Sequence, residues 1–423
     1  MEQWKQDRLI DILDTLIDYR GKTPNKVERG IPLITAKIVK NGRIETPTEF
    51  LPVEEYKDWM VRGYPQVGDV VLTTEAPLGE VAQLKDDKIA LAQRIVCLRG
   101  KEDVLDNTYL KYFLMSNIGQ YRLKARETGT TVTGIKQSEL KEVLIDYPNY
   151  ELQQKIASIL SFLDAKIELN RRINDNLEQQ AQVLFKSWFI DFEPFKDGKF
   201  VDDDYGKRPY GWHIKPLEYL VEKVKAGDWG KDEPIENYTR RTFCMRGADF
   251  PDIKEGNKGK MPIRYILEKN FLEKSLCEGN VVVEISGGSP TQSTGRIVLV
   301  DKAFIEDCDD ALICTNFCKS LEIKEGFSLF FYLLWQYLYD KKVMFIYENG
   351  SNGLKNLNIN SLIERELFII PPKEVVSRFN LVVSNLLSAK QSNGIEVSRL
   401  ASLRDTLLPK LMSGKLKINE LND

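Results

Sequence analysis

Between Glu151 and Phe192 apolar side chains recur at alternating steps of four and three: Ile156, Leu160, Leu163, Ile167, Leu177, Ala181, Leu184 and Trp188, with Asn170 and Asn174 in the same row. The row returns near the end of the chain as Phe379, Val383, Leu386, Lys390, Asn393, Val397, Leu400, Arg404, Leu407 and Leu411. A stripe of period 3.5 held this long predicts two helices of about 40 residues, roughly 60 Å each, packed as a coiled coil. Two unrelated amphipathic helices on separate cores are the plainer alternative, and the matched offset of the rows disfavours it. Pro148 and Pro371 stand at the same place ahead of both rows, and proline biases the preceding residue away from helix. Pro194 is expected to close the first helix and Gly414 the second, with Pro409 kinking its last turns. Paired antiparallel with centres aligned, the helices would set Asn174 against Asn393, a buried polar pair that fixes register. Lys390 and Arg404 interrupt the second row and should snorkel, pair with acids or meet another subunit. Trp188 and Phe189 are expected to cap the helical core, with an anchor for a partner subunit as the second reading.

The segments ahead of the rows are also related. One opens with Trp4 and Leu9–Asp14, the other with Trp212 and Leu217–Glu222. Each passes a glycine-containing loop with a basic residue, Arg20–Pro24 and Gly227–Lys231, then a β-branched run after glycine, Gly68–Leu72 and Gly279–Val283. Each ends in a polar glycine loop carrying a lysine, Gly129–Lys136 and Gly350–Lys355. The frame repeats while the contents diverge, as expected for two readers on a common scaffold. The expected fold class is α+β: two globular domains separated by two long helices forming an antiparallel coiled coil, with a pseudo-twofold internal repeat. The expected boundaries are a first domain over 1–148, a central helix over 149–195, a second domain over 196–371, a distal helix over 372–416 and a tail over 417–423. Antiparallel pairing would carry the two domains to opposite ends of one rod.

Composition narrows the function. The chain has 423 residues and a formal net charge of -3, which excludes a globally basic nucleic-acid binder but not a local basic groove. Its single histidine, His213, leaves no multi-histidine metal site and reads as a surface residue. The six cysteines form no C-x-x-C pair, and Cys314 and Cys318 suit a helix face or a buried segment better than a zinc clamp. With a polar start over Met1–Arg8 and no apolar leader, a reduced, cytoplasmic setting without membrane association is expected. Phe327–Tyr339 is too short to span a bilayer. No Walker-type loop and no G-x-G-x-x-G fingerprint occurs, and Gly256–Lys260 lacks the spacing for either. The amino-methyltransferase tetrapeptide N/D-P-P-Y/F is missing too. Glu139–Lys141 and Glu322–Lys324 read as solvated triplets. These absences point to a binding or scaffolding subunit rather than an enzyme.

At these residues the chain resembles the specificity subunit of type I restriction-modification systems. Leu152–Ile167 is similar to the family's central conserved region, Leu403–Leu416 to its distal one, and Asp18–Pro24 with Ile31–Ile34 to the opening of a target recognition domain. The resemblance implies that each domain reads one half of a bipartite target in double-stranded DNA with a fixed spacer. It implies that the helices dock methyltransferase (modification) subunits, two of them, and that restriction motor-nuclease subunits join. It places S-adenosylmethionine, ATP and Mg in those partners and no cofactor in this chain.

Side chains with donor and acceptor pairs read bases, and cations hold phosphates. The candidates for DNA contact are Arg20, Lys22, Thr130, Thr131 and Lys136 in the first half. In the second they are Lys231, Arg240, Arg241, Arg246, Ser351, Asn352 and Lys355. Arg122, Lys124 and Arg126 read as a solvated face or a phosphate-facing strip. Gly129, Gly350 and Gly353 read as positions that permit positive φ. The two helical rows are the coiled-coil and partner-binding candidates. The rival readings are a single-chain DNA nuclease or methyltransferase with a recognition half, and a coiled-coil adaptor that binds no DNA.

Overall fold

The computed structural model describes residues 4–129, 133–289, 292–309, 311–351 and 354–416. Thr130, Thr131, Asn352, Gly353 and the 417–423 tail lie outside the described residues, as does the side chain of Ser351. The chain forms two compact units, one of residues 1–166 with 400–423 and the other of residues 167–399. Each long helix contributes residues to both units: a central helix, Tyr150–Phe189, and a distal helix, Lys373–Met412.

In the first unit an antiparallel sheet takes the order Leu13–Asp18, Ile95–Gly100, Val70–Thr74, Leu78–Gln83. Its middle strands are β-branched and buried on both faces, the residue type that packs best on a pleated surface. A second, smaller sheet sets Ile31–Ile34 between antiparallel Phe50–Leu51 and parallel Ala90–Leu91. Lys5–Arg8 pairs with Leu144–Tyr147 and so ties the start of the unit to the strand leading into the central helix. One face of the main sheet packs on helix Asn107–Met115, the start of the central helix and the end of the distal helix in a single apolar cluster. The other face packs on the smaller sheet.

The second unit repeats this topology. Its main sheet runs Val221–Ala226, Cys318–Ile323, Val281–Glu284, Ile297–Leu299, all antiparallel. Its smaller sheet sets Tyr238–Met245 between antiparallel Ile263–Leu267 and parallel Leu312–Cys314. His213–Pro216 pairs with Leu367–Ile370, and His213 is exposed. The apolar segment Phe327–Tyr339 becomes core helix Ser328–Asp340, and no described helix is long and apolar enough to cross a membrane. Five cysteines, Cys97, Cys244, Cys308, Cys314 and Cys318, are buried and all six are free thiols. Cys314 and Cys318 flank a turn between two strands, so the buried-segment reading applies and the helix-face reading does not.

The helices pair antiparallel within each unit. In the second unit the Asn393 side-chain amide donates to Asn174 Oδ1 at 3.1 Å, and Asn170 donates to Glu396 at 2.7 Å. Both cations in the second row pair with acids. Lys390 meets Glu178 at 2.6 Å in the second unit, and Arg404 meets Asp164 at 2.8 Å in the first. Each acid also binds its unit's core helix. Asp164 accepts from Tyr112 Oη at 2.6 Å and Lys111 Nζ at 2.9 Å, and Glu178 accepts from Tyr332 Oη at 3.4 Å. Burial opposes ionisation of Asp164, yet Lys111, Tyr112 and Arg404 outweigh it and hold the carboxyl below its usual range. Burial likewise opposes ionisation of Glu178, and Lys390 and Gln336 overcome it.

The buried stripe drifts from the heptad expectation at the helix ends. Ile156, Leu160, Leu163, Ile167 and Asn174 are buried, as are Phe379, Val383 and Leu411, while Leu177, Leu386, Asn393 and Leu400 are half-buried. Beyond these, Phe185 and Phe189 take the core places while Leu184 and Trp188 are half-buried, and Leu408 is buried rather than Leu407. A helix of 3.6 residues per turn slips against a strict seven-residue repeat, and tertiary packing here does not hold it to 3.5. Trp188 and Phe189 are not a free anchor: their rings pack on Phe379 at 5.6 and 4.8 Å, inside the second unit.

Mid-helix Gly394 has a steric reason. A Cβ there would lie 2.4 Å from Gly256 Cα and 2.1 Å from Glu255 O. Gly256, at φ +87°, lets the Glu255–Gly256 loop touch the helix backbone. Asn174 donates to Glu255 O and Gln391 to Gly256 O on either side of the contact.

Candidate functional site

In each unit the short parallel strand of the smaller sheet ends in a two-residue turn before re-entering the main sheet. In the first unit this is Gln93–Arg94, between Leu91 and Ile95. Four backbone bonds define it: Ala92 N–H to Ile34 O (2.9 Å), Ile95 N–H to Ala92 O (3.4 Å), Thr74 N–H to Arg94 O (3.0 Å) and Ile135 N–H to Thr74 O (2.9 Å). In the second unit the turn is Asn316–Phe317. Its bonds are Thr315 N–H to Met245 O (2.9 Å), Cys318 N–H to Thr315 O (2.9 Å), Ile285 N–H to Phe317 O (2.9 Å) and Leu357 N–H to Ile285 O (2.8 Å). The bonds correspond one to one, so the same segments meet in both units through matched main-chain bonds, to which the second turn adds Phe317 N–H donating to Thr315 Oγ1 at 3.3 Å.

The polar glycine loops belong to this junction. Gly134 bridges Glu75 in the first unit, and Ser286–Gly287 pairs with Leu354–Leu357 in the second. The matched bonds set Ile135 against Leu357, so Lys136 corresponds to Asn358 rather than to Lys355. Both Lys136 and Asn358 are helix N-caps. The loops after the first sheet strand also reach the junction. Arg20 donates to Ile135 O at 2.5 Å, and Asp228 N–H donates to Cys314 O at 2.8 Å.

The candidate residues separate by how their charge is used. Lys22, Lys136 and Lys231 are exposed, with the Lys231 ammonium 5.6 Å from the centre of the Tyr238 ring. Arg241 is exposed and pairs with Asp309 at 3.2 Å. Arg20 is held by Asp18 at 2.7 Å. Arg246 forks onto Asp249 and Lys260 O, Lys355 pairs with Glu348 at 3.0 Å, and Arg240 lies 4.1 Å from the Phe271 ring centre. These last three hold loops and sheet together, because a half-buried cation takes the nearest carboxylate or ring face. Arg122 and Arg126 bind Asp146 and Glu139 at 2.7 and 3.0 Å, a solvated face tied to its own unit.

The pattern of apolar and glycine residues missed the turn pairs themselves. Neither turn contains glycine or proline. A signal was present in the isolated polar pair inside Ile89–Leu98 and its counterpart inside Ala311–Leu321. Arg264 was missed as well. It is buried, donates to Trp229 O at 2.8 Å, stacks 4.2 Å from the Trp229 ring centre and pairs with Asp232, fixing the Gly227–Asp232 loop. Among the described residues no cluster of His, Cys, Asp and Glu could hold a metal ion.

A duplicated α+β unit on two shared helices, with a constant backbone junction and divergent tips, is the build of a recognition protein rather than of a single active site. The comparisons agree with this build. Residues 1–179 match the family model described as type I restriction modification DNA specificity domain. The type I restriction enzyme MjaIX specificity subunit of Methanocaldococcus jannaschii is 31% identical, over 99% of this chain and 95% of its own. The HindI specificity subunit of Haemophilus influenzae is 24% identical, over 78% of this chain and 82% of its own. The crystal structure of a type I restriction-modification system S subunit from M. genitalium shares the fold, with TM-score 0.56 and 17% identity over 97% of this chain and 96% of that one. The chain belongs to the family of type I restriction-modification specificity subunits.

Proposed function

We propose that this specificity subunit recognises a two-part DNA target, each unit reading one half through its turn-and-loop junction. The observation that carries the reading is the junction itself: four backbone bonds repeated between the units, surrounded by side chains that differ. A frame held by main chain leaves its side chains available for bases. Both units share two continuous helices, so the base pairs between the halves are set in number and left open in sequence. Exposed Lys22 and Lys136 in one unit and Lys231 in the other hold phosphates. The net charge of -3 gives the isolated chain weak affinity, and tight binding comes with its partners.

In this reading the chain carries no catalysis and works in the cytoplasm. Two modification subunits dock on it and supply adenine methylation with S-adenosylmethionine. Motor-nuclease subunits supply ATP- and Mg-dependent cleavage. The test is co-expression with the modification subunit followed by mapping of methylated adenines in the host genome. A single motif of two parts with a constant gap is expected. An assembled complex that neither methylates nor selects DNA would overturn the reading in favour of an adaptor.

A further inference from the structure

We propose that Arg94 and Phe317 are the specificity-determining contacts of the two units, Arg94 selecting guanine by hydrogen bonds in one half-site and Phe317 selecting thymine by its methyl group in the other. The assignment rests on the reading of the two units as DNA readers and adds to it which side chains discriminate and by what chemistry.

The turns share four matched main-chain bonds, so the clearest difference in what they can contact lies in their side chains. Neither side chain is needed by the fold. Phe317 is 64% exposed and stacks on no other ring among the described residues. A large apolar ring held in solvent at a turn tip contributes little to stability where it stands; one exposed apolar group is ordinary by itself, and Phe317 is singled out by its place in the matched turn. Arg94 is half exposed and pairs with Glu75, itself 39% exposed, at 2.9 Å. Such surface pairs contribute little, so the guanidinium can exchange Glu75 for a base edge at small cost.

The side chains that precede them are alike. Gln93 and Asn316 are both amides, and neither makes a hydrogen bond among the described residues. The shared amide suits a contact common to both halves, and the divergent neighbour suits the part that differs. An arginine fork fits the O6 and N7 acceptors of guanine in the major groove, whereas the base-edge feature there that suits an aromatic ring is the thymine methyl. The first tip pairs Arg94 with Glu75, while the second tip has Ser286 at the corresponding place, bonded to Asn356.

The experiment uses the full chain assembled with its modification subunits. The variants are Arg94→Ala, Phe317→Ala and the transplant Phe317→Arg, each checked by a melting curve matching the parent. Methylated motifs are mapped in the host, and relative binding is measured on duplexes altered one base pair at a time. Arg94→Ala should flatten the preference at one G·C pair by roughly 5- to 150-fold in one half only. Phe317→Ala should flatten a T·A preference in the other half, and Phe317→Arg should create a guanine preference there. A two-part parental motif left unmoved by all three variants, or altered in both halves by one of them, overturns this proposal alone. A parental complex with no two-part motif overturns the reading beneath it, and this proposal with it.

Discussion

Replacing Asp164 by alanine is the sharpest test of how the helices hold the first unit. The carboxylate accepts from Lys111 at 2.9 Å, Tyr112 at 2.6 Å and Arg404 at 2.8 Å, so one side chain joins the core helix, the central helix and the distal helix. The side chains of Lys111 and Arg404 are only 9% and 16% exposed. Removing the acid leaves two cations in low-dielectric surroundings, and breaking a buried pair from one side costs about 3–5 kcal/mol. Arg404 keeps Asp405 at 2.8 Å, which places the expected loss near the lower figure, about 3 kcal/mol. Urea unfolding of the full chain, followed by hydrogen exchange in helix Asn107–Met115, reads the loss locally. Paired with Arg404→Met, the substitution should show a coupling of roughly 1–3 kcal/mol. The control is the exposed pair Lys155–Glu151, 56% and 77% exposed, where Glu151→Ala should leave the urea midpoint essentially unchanged. Equal effects at the two sites, or an Asp164→Ala loss below about 1 kcal/mol, would refute a buried three-donor carboxylate.

The same carboxylates set an acid limit. Asp164 and Glu178 are held below their ordinary values of 3.8 and 4.5, so their stabilisation is complete above those values and disappears as pH falls through the depressed folded-state pKa. Urea midpoints from pH 6 down should therefore fall more steeply for the parent than for Asp164→Asn. Gly394→Val should destabilise the second unit by roughly 1–3 kcal/mol, because its Cβ meets Gly256 and Glu255 backbone, whereas Gly350→Ala, with open space around it, should leave the urea midpoint unchanged. Replacing Lys22, Lys136 or Lys231 by alanine should weaken DNA binding by the assembled complex similarly on all sequences and lower the salt slope by about 1 each, measured by titration over a range of salt concentrations.

The helices were legible because their signal is long: a period repeated over ten positions, with proline ahead of each row. The Asn174–Asn393 pair followed from antiparallel geometry alone, and Lys390 and Arg404 found acids because buried cations must. The Glu178 and Asp164 partners were not legible, since a carboxylate on a helix looks solvated until the tertiary fold covers it. The site divided in the same way. Loops rich in glycine were found as part of the junction, but their register was not, because one-residue offsets in a loop carry no periodic mark. Arg240, Arg246 and Lys355 are candidates for DNA contact by residue type, and each also has a partner within its own unit. Sequence shows a charge but not the Asp249, Glu348 or Phe271 that claims it. The Gln93–Arg94 and Asn316–Phe317 tips escaped notice because a turn closed by β-ladder bonds needs no turn-forming residue.

That last feature bears on how such a protein acquires new targets. At both tips four matched main-chain bonds hold the turn, joined in the second by Thr315 Oγ1, and Arg94, Asn316 and Phe317 are exposed while Gln93 is half-buried. Substitutions there escape the stability threshold that removes most mutations elsewhere. A lineage can thus sample many tip sequences while folding and assembly stay constant. With the tips as the proposed readers, the two can drift independently in separate units, so the variety of targets open to this chain is the product of two short alphabets rather than the sum.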